Sequence, residues 1–131
     1  MRLLLDTHIA LWAMTESPRL PGRARSLISS VDAALLVSVV SLWEIGIKHA
    51  RRRGRPNDMP ISAAEMARLL AGAKCEILPV SLAHVLEVET LPDLHRDPFD
   101  RMLVAQARSE PLRLLTVDAQ LAAYGDAIEL V

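Results

Sequence analysis

Short apolar runs alternate with longer amphipathic ones along this chain, and the alternation sets the first expectations. Arg2–Leu5 is a short apolar run closed by Asp6, which predicts a strand buried on both faces. Ile9–Met14 predicts a short helix ahead of Pro18 and Pro21, and Arg23–Ser30 an amphipathic second one. Leu35–Ser38 reads as the next strand. Val40–Arg53 predicts a helix with an apolar stripe of Val39, Val40, Leu42, Trp43, Ile47 and Ala50, stopped by Gly54. Beyond a loop with Pro56 and Pro60, Ser62–Gly72 predicts a helix in which Ser62 and Glu65 form a capping box. Glu76–Val80, Leu112–Thr116 and Ile128–Leu130 read as strands, and Leu82–Glu89, Pro98–Ser109 and Ala119–Tyr124 as helices. No repeat, low-complexity tract or long linker interrupts the series.

Strands alternating with helices imply a parallel sheet covered on both faces. In such folds ligands bind beyond the carboxyl ends of the strands, so those ends are the place to look for chemistry.

The 131 residues predict one domain, 1–131. A hydrophobic fraction of 51% excludes a disordered chain, and a single cysteine, Cys75, excludes a disulfide scaffold and fits a reducing cytoplasm. No apolar run approaches the ~20 residues of a membrane span. Asp6 and His8 interrupt the N-terminus too early for a signal peptide. A cytoplasmic protein without a membrane partner is the expectation.

The net charge of −1 looks unfavourable for a nucleic-acid partner, but it conceals two opposite fields. There are 13 Arg and 2 Lys, and Lys48, Arg51, Arg52, Arg53 and Arg55 put five cations into eight residues without an acid. The stretch from His84 to Asp100 carries five acids against Arg96 alone. The basic segment suits phosphate oxygens, although cations also favour a helix C-terminus through the dipole.

Acids occupy the predicted strand ends. Asp6 follows the first strand, Glu44 lies six residues beyond Ser38, Asp100 sits in the first turn of the helix from Pro98, and Asp118 comes two residues after Thr116. Each has a structural explanation by itself. Asp6 and Asp118 can cap helices, Glu44 can pair with Lys48, and Asp100 can serve the helix dipole. Asp97 before Pro98 is favoured as an N-cap. Four carboxylates from four distant segments at one edge are a different matter, because they repel one another unless a cation joins them. A hard divalent ion does so, and carboxylate-held metals assist phosphodiester hydrolysis.

The same residues carry a family resemblance. Leu3-Leu4-Leu5-Asp6-Thr7-His8 with Trp12, Ser38-Val39-Val40-Ser41-Leu42-Trp43-Glu44-Ile45, the run His95-Arg96-Asp97-Pro98-Phe99-Asp100-Arg101 continuing to Ala107, and Leu114-Leu115-Thr116-Val117-Asp118 occur in the order seen in PIN-domain ribonucleases. The chain most resembles the VapC-type toxins of toxin–antitoxin systems, over essentially its whole length. The resemblance implies an α/β/α sandwich with a central parallel sheet of four to five short strands. It implies Mg²⁺- or Mn²⁺-dependent RNA hydrolysis leaving 5′-phosphate and 3′-hydroxyl ends. Asp6, Glu44, Asp100 and Asp118 match the catalytic, metal-binding acids. Thr7 and Thr116 match small hydroxyl positions beside them, and Asp97 is an added acid that either caps the helix or supports the site. The resemblance also implies an RNA substrate, a cognate antitoxin and a homodimer, with Ser62–Gly72 or the residues around Ile28 as candidate dimer surface.

Lys48, Arg51, Arg52, Arg53 and Arg55 are the candidate RNA-binding residues. Trp43 and Phe99 are expected in the core, and neither His8 nor His95 is given a catalytic role. Two other functions compete: a catalytically silent PIN-like module that only binds RNA or antitoxin, and a DNA-directed nuclease of the same fold. A P-loop, a dinucleotide fingerprint and an Asp-x-Asp phosphatase pair are all missing from the sequence.

Overall fold

A computed structural model describes the whole chain, Met1–Val131. Five short strands form one parallel sheet: β1 (Arg2–Leu5), β2 (Ala34–Ser38), β3 (Glu76–Leu78), β4 (Arg113–Thr116) and β5 (Ile128–Leu130). Their order is β3-β2-β1-β4-β5, which puts β1 in the middle. Leu5 is in register with Val37 on one side and Leu115 on the other, so Asp6, Ser38 and Thr116 follow an aligned row.

Alternation along the strands divides the core in two. Leu3, Leu5, Val37 and Leu115 face one layer and Leu4, Leu36 and Leu114 the other. The first layer is completed by α1 (Thr7–Met14), α2 (Gly22–Ile28), α3 (Val39–Ala50) and α4 (Ala63–Gly72), through side chains such as Ile9, Ala24, Ile45 and Met66. The second is completed by α5 (Leu82–Thr90), α6 (Pro98–Ser109) and the 3₁₀ turn Ala119–Tyr124, through Leu91, Leu103, Val104 and Leu121. Both faces of the sheet are therefore covered, giving the expected α/β/α sandwich. Each fully buried leucine contributes roughly 1.5–3 kcal/mol of transfer free energy. No helix is long and apolar enough to cross a membrane.

Several boundaries differ from the sequence expectations for local reasons. Helix α1 begins at Thr7, because the Asp6 carboxylate caps it by accepting the Ile9 amide at 2.8 Å. Helix α3 ends at Ala50 and not Arg53. Gly54, at φ +76, belongs to the loop beyond, where Asp58 Oδ2 accepts the amides of Arg53 and Arg55. Strand β3 stops before Pro79, which has no amide to donate. The Ser62–Glu65 capping box forms with both bonds at 3.1 Å. Burial pushes the Cys75 thiol up to about 11, which leaves it unreactive.

The largest departure is in α3. Its inward face is Val40, Ser41, Glu44 and Ile45, whereas Trp43 is 64% exposed and packs edge-on against Phe99 with ring centroids 5.3 Å apart. Trp43 is thus not a core residue, and the half-buried Phe99 lies beside it at the surface. The helix has turned two polar residues inward at the cost of exposing an indole. Such a violation of patterning marks a functional site more often than an ordinary helix.

Candidate active site: carboxylates at the switch point of the sheet

The connection from β1 goes to β2 on one side, while β4 pairs on the other. The carboxyl ends of β1 and β4 therefore flank a crevice of the kind that takes ligands in open parallel sheets. Asp6 stands at its centre, 5% exposed, with its amide bonded to Leu115 O at 3.0 Å. Burial holds the Asp6 carboxyl above its usual range, and the Glu44 charge adds to this. The Thr116 hydroxyl, the Ile9 amide and His8 act in the opposite direction.

Glu44 is 3% exposed and fully engaged. Thr7 Oγ1 donates to Oε1 at 2.7 Å, and the Lys48 ammonium to Oε2 at 2.6 Å. Ser41 Oγ lies 2.9 Å from Thr7 Oγ1. Thr7 has one hydroxyl proton and gives it to the carboxylate, so Ser41 is the donor in that contact. Ser41 is a site residue that sequence reading missed. Its signal was the i, i+3 spacing to Glu44 on one helix face.

Asp97 caps α6, accepting the amides of Phe99 at 2.8 Å and Asp100 at 3.3 Å. That aims Asp100 at the crevice. Burial first, then the charges of Asp97, Glu44 and Asp6, push the Asp100 carboxyl up to about 7, with His95 opposing. The mutual effects place Asp6, Glu44 and Asp100 in one electrostatic cluster. Asp118 joins it through His95. The His95 Nδ1 accepts the Asp97 amide at 3.1 Å, so the proton sits on Nε2, which lies 2.9 Å from Asp118 Oδ2 and 3.7 Å from Asp100 Oδ2. Thr116 Oγ1 accepts the Asp118 amide at 3.0 Å, and Asp118 caps the 3₁₀ turn through Gln120. His95 was left without a role in the sequence reading, and it proves to be the link between three of the acidic positions.

The donor set fits a hard divalent cation. Ligand atoms of His95, Asp100 and Asp118 lie within 4.8 Å of one another, and Asp6 and Glu44 add carboxylates to the same crevice. Apart from Lys48, no cationic side chain pairs with Asp6, Glu44 or Asp100 in a hydrogen bond. Burial first and like charge second raise Asp100, and a bound cation would offset the like charge.

The basic segment divides. Lys48, Arg51, Arg53 and Arg55 line an open cleft of about 460 Å³ with His8 and Asn57. Arg52 turns back, its guanidinium donating to His49 O at 2.8 Å. Lys48 borders both the cleft and the acids.

A doubly covered parallel sheet with acids gathered at its switch point defines an α/β/α domain of the PIN-like kind. Residues 3–127 match the PIN domain family, and the chain belongs to it. No curated protein matches the sequence. The fold is similar to that of VapBC2 from Rickettsia felis, described as bound to a DNA fragment from its promoter. The identity is 15% and the TM-score 0.69, over 100% of this chain and 98% of the other. FitAcB from Neisseria gonorrhoeae is similar at 18% identity and TM-score 0.65, over 96% and 95% of the two chains. VapC20 from Mycobacterium tuberculosis, described as a sarcin-ricin loop cleaving toxin, is similar at 19% identity and TM-score 0.63, over 94% and 95%. At these identities the likeness is one of fold.

Proposed function

We propose that the protein is a metal-dependent endoribonuclease toxin, held in check by a cognate antitoxin. The observation that carries this reading is the gathering of buried Asp6 and Glu44 with half-buried Asp100 at the carboxyl ends of the strands, close enough for their charges to push Asp100 up to about 7 together with burial. These residues, with Asp118, would hold Mg²⁺ or Mn²⁺. When bound, the ion supplies Lewis acidity that activates water for hydrolysis of a phosphodiester. The chain's own residues set the geometry. Thr7 and Ser41 fix Glu44, Asp97 fixes the start of α6, and Thr116 and His95 fix Asp118. Arg51, Arg53 and Arg55 receive the phosphates of the RNA.

Structural neighbours that are toxin–antitoxin complexes, including one from Klebsiella pneumoniae, support an antitoxin partner here. A homodimer is part of the same reading, with α4 or the residues around Ile28 among its candidate surfaces. Helix α4 turns Met66 and Leu70 into the core. Leu69 stays exposed on α4, and further exposed apolar side chains lie on α3 and α5, where Trp43 and Val85 border a groove of about 430 Å³.

The test is to map RNA ends produced by wild type and by Asp6→Asn, with Mg²⁺ or Mn²⁺ and without antitoxin. Cuts specific to wild type, with 5′-phosphate and 3′-hydroxyl ends, are expected. Their absence would sink the nuclease reading, and equal cutting of DNA of the same sequence would remove the RNA specificity.

A further inference from the structure

A second pocket adjoins the arginine cleft. It lies between Trp12 and the segment from Pro56 to Pro60, holds about 240 Å³, and shares His8, Asn57, Asp58 and Met59 with the cleft. That volume is below the ~300–1,000 Å³ that drug-sized ligands need, and leaves room for one ring system. Its aromatic wall is the His8–Trp12 pair, with centroids 5.7 Å apart and planes inclined by 44°. Asp58 puts a carboxylate acceptor on its rim, held by the amides of Arg53 and Arg55, each 2.8 Å from Oδ2. Asn57 brings an amide donor and acceptor.

We propose that this pocket receives one unstacked nucleobase of a single-stranded RNA while the adjoining phosphates lie on Arg51, Arg53 and Arg55. The inference rests on the ribonuclease reading and assigns it a base subsite. The alternation of an aromatic wall with a cationic cleft is what a single strand requires, because every base has a face to stack and every phosphate a charge to neutralise. The path is continuous: Lys48 touches Glu44 at 2.6 Å and lines the cleft, and the cleft opens into the pocket. A protein partner anchors preferentially with buried aromatic side chains in a desolvated site, whereas this lining is largely polar and charged.

The experiment exploits the two tryptophans of the chain. In full-length protein carrying Trp43→Phe, which keeps a ring against Phe99, Trp12 is the sole indole. Asp6→Asn is added so that the RNA is not cut. The protein is titrated with a ten-nucleotide single-stranded RNA, and with the same RNA made abasic at each position in turn. Quenching of Trp12 emission is expected with intact RNA. It is expected to vanish for one abasic position, with Kd raised by about 5–150-fold, the range of a single base–aromatic stack. Trp12→Ala is expected to raise Kd for intact RNA by a similar factor and to abolish the difference between intact and abasic RNA. His8→Ala, at an exposed position, provides the same comparison if Trp12→Ala does not fold. Binding that is equal at every abasic position, by a protein whose wild type cuts RNA, would overturn the base subsite and leave the nuclease intact. Failure of the end-mapping experiment would remove the nuclease reading instead.

Discussion

Lys48 and Glu44 meet at 2.6 Å across one turn of α3, and this pair joins the acidic crevice to the basic cleft. The lysine offsets a carboxylate that is otherwise held by Thr7 alone. Lys48→Met is expected to cost about 1 kcal/mol of metal-free stability, as the lysine is partly solvated. It is also expected to lower the Mg²⁺ concentration at half-saturation several-fold, because the ion no longer competes with an ammonium. Thermal melts across a Mg²⁺ titration measure both. A higher Mg²⁺ requirement would mean that Lys48 holds Glu44 ready for the ion and does not compete with it.

Asp100 gives the metal-free protein a characteristic response to pH. Its carboxyl is pushed up to about 7 when folded, against about 3.9 in an unfolded chain. The folded state therefore holds the proton more tightly. The stability this contributes is complete below about pH 4 and is lost as pH rises through about 7. Tm measured in EDTA is expected to fall from about pH 5 to about pH 8, and Asp100→Asn to flatten that decline. Mg²⁺ is expected to restore more at the higher pH, where it displaces no proton.

Removing His95 should separate the two ends of the site. Its ring receives the Asp97 amide and donates to Asp118, so His95→Ala frees both. Loss of such an orienting group typically costs about 10–100-fold in metal affinity or activity. His95→Gln, which can still donate, is expected to recover part of this. Cleavage rates against Mg²⁺ concentration distinguish the two variants, and circular dichroism checks that the fold is retained.

The cleft arginines and Arg52 should behave differently. Arg51→Ala, Arg53→Ala and Arg55→Ala are each expected to reduce the slope of log K against log salt by about 0.7 for single-stranded RNA. Arg52→Ala is expected to leave it almost unchanged, because its guanidinium is turned to His49 O. Filter binding at several salt concentrations gives the slopes.

Trp43, 64% exposed, should report on self-association. Trp43→Glu is expected to convert the proposed dimer to monomer in sedimentation, with little change in the thermal stability of the subunit. A variant that sediments like wild type would remove this face from the dimer.

Most of the fold was legible because the strands are short and almost wholly apolar, and each major break falls at a capping residue such as Asp6, Ser62 or Asp97. The row of strand ends was legible for the same reason. Trp43 was misread because apolar spacing cannot show which face of α3 meets the sheet. That face was decided by the needs of Ser41 and Glu44. His95 carried no local pattern, since its partners Asp100 and Asp118 come together only when α6 and β4 pack. The charge of Lys48–Arg55 was plain in the sequence, but not that Arg52 folds back or that Lys48 is shared with the acids.

The register that aligns Leu5 with Val37 and Leu115 also governs how the crevice can be controlled. The Asp6 amide is locked to Leu115 O in the central strand pair, so its hydrogen exchange should require the opening of the whole molecule and not of a local segment. Asp6 is thus fixed by the sheet itself and not by a movable loop. On the toxin reading, silencing the site is a matter of occupancy: the antitoxin covers the crevice, and activity would return as fast as that cover leaves or is destroyed.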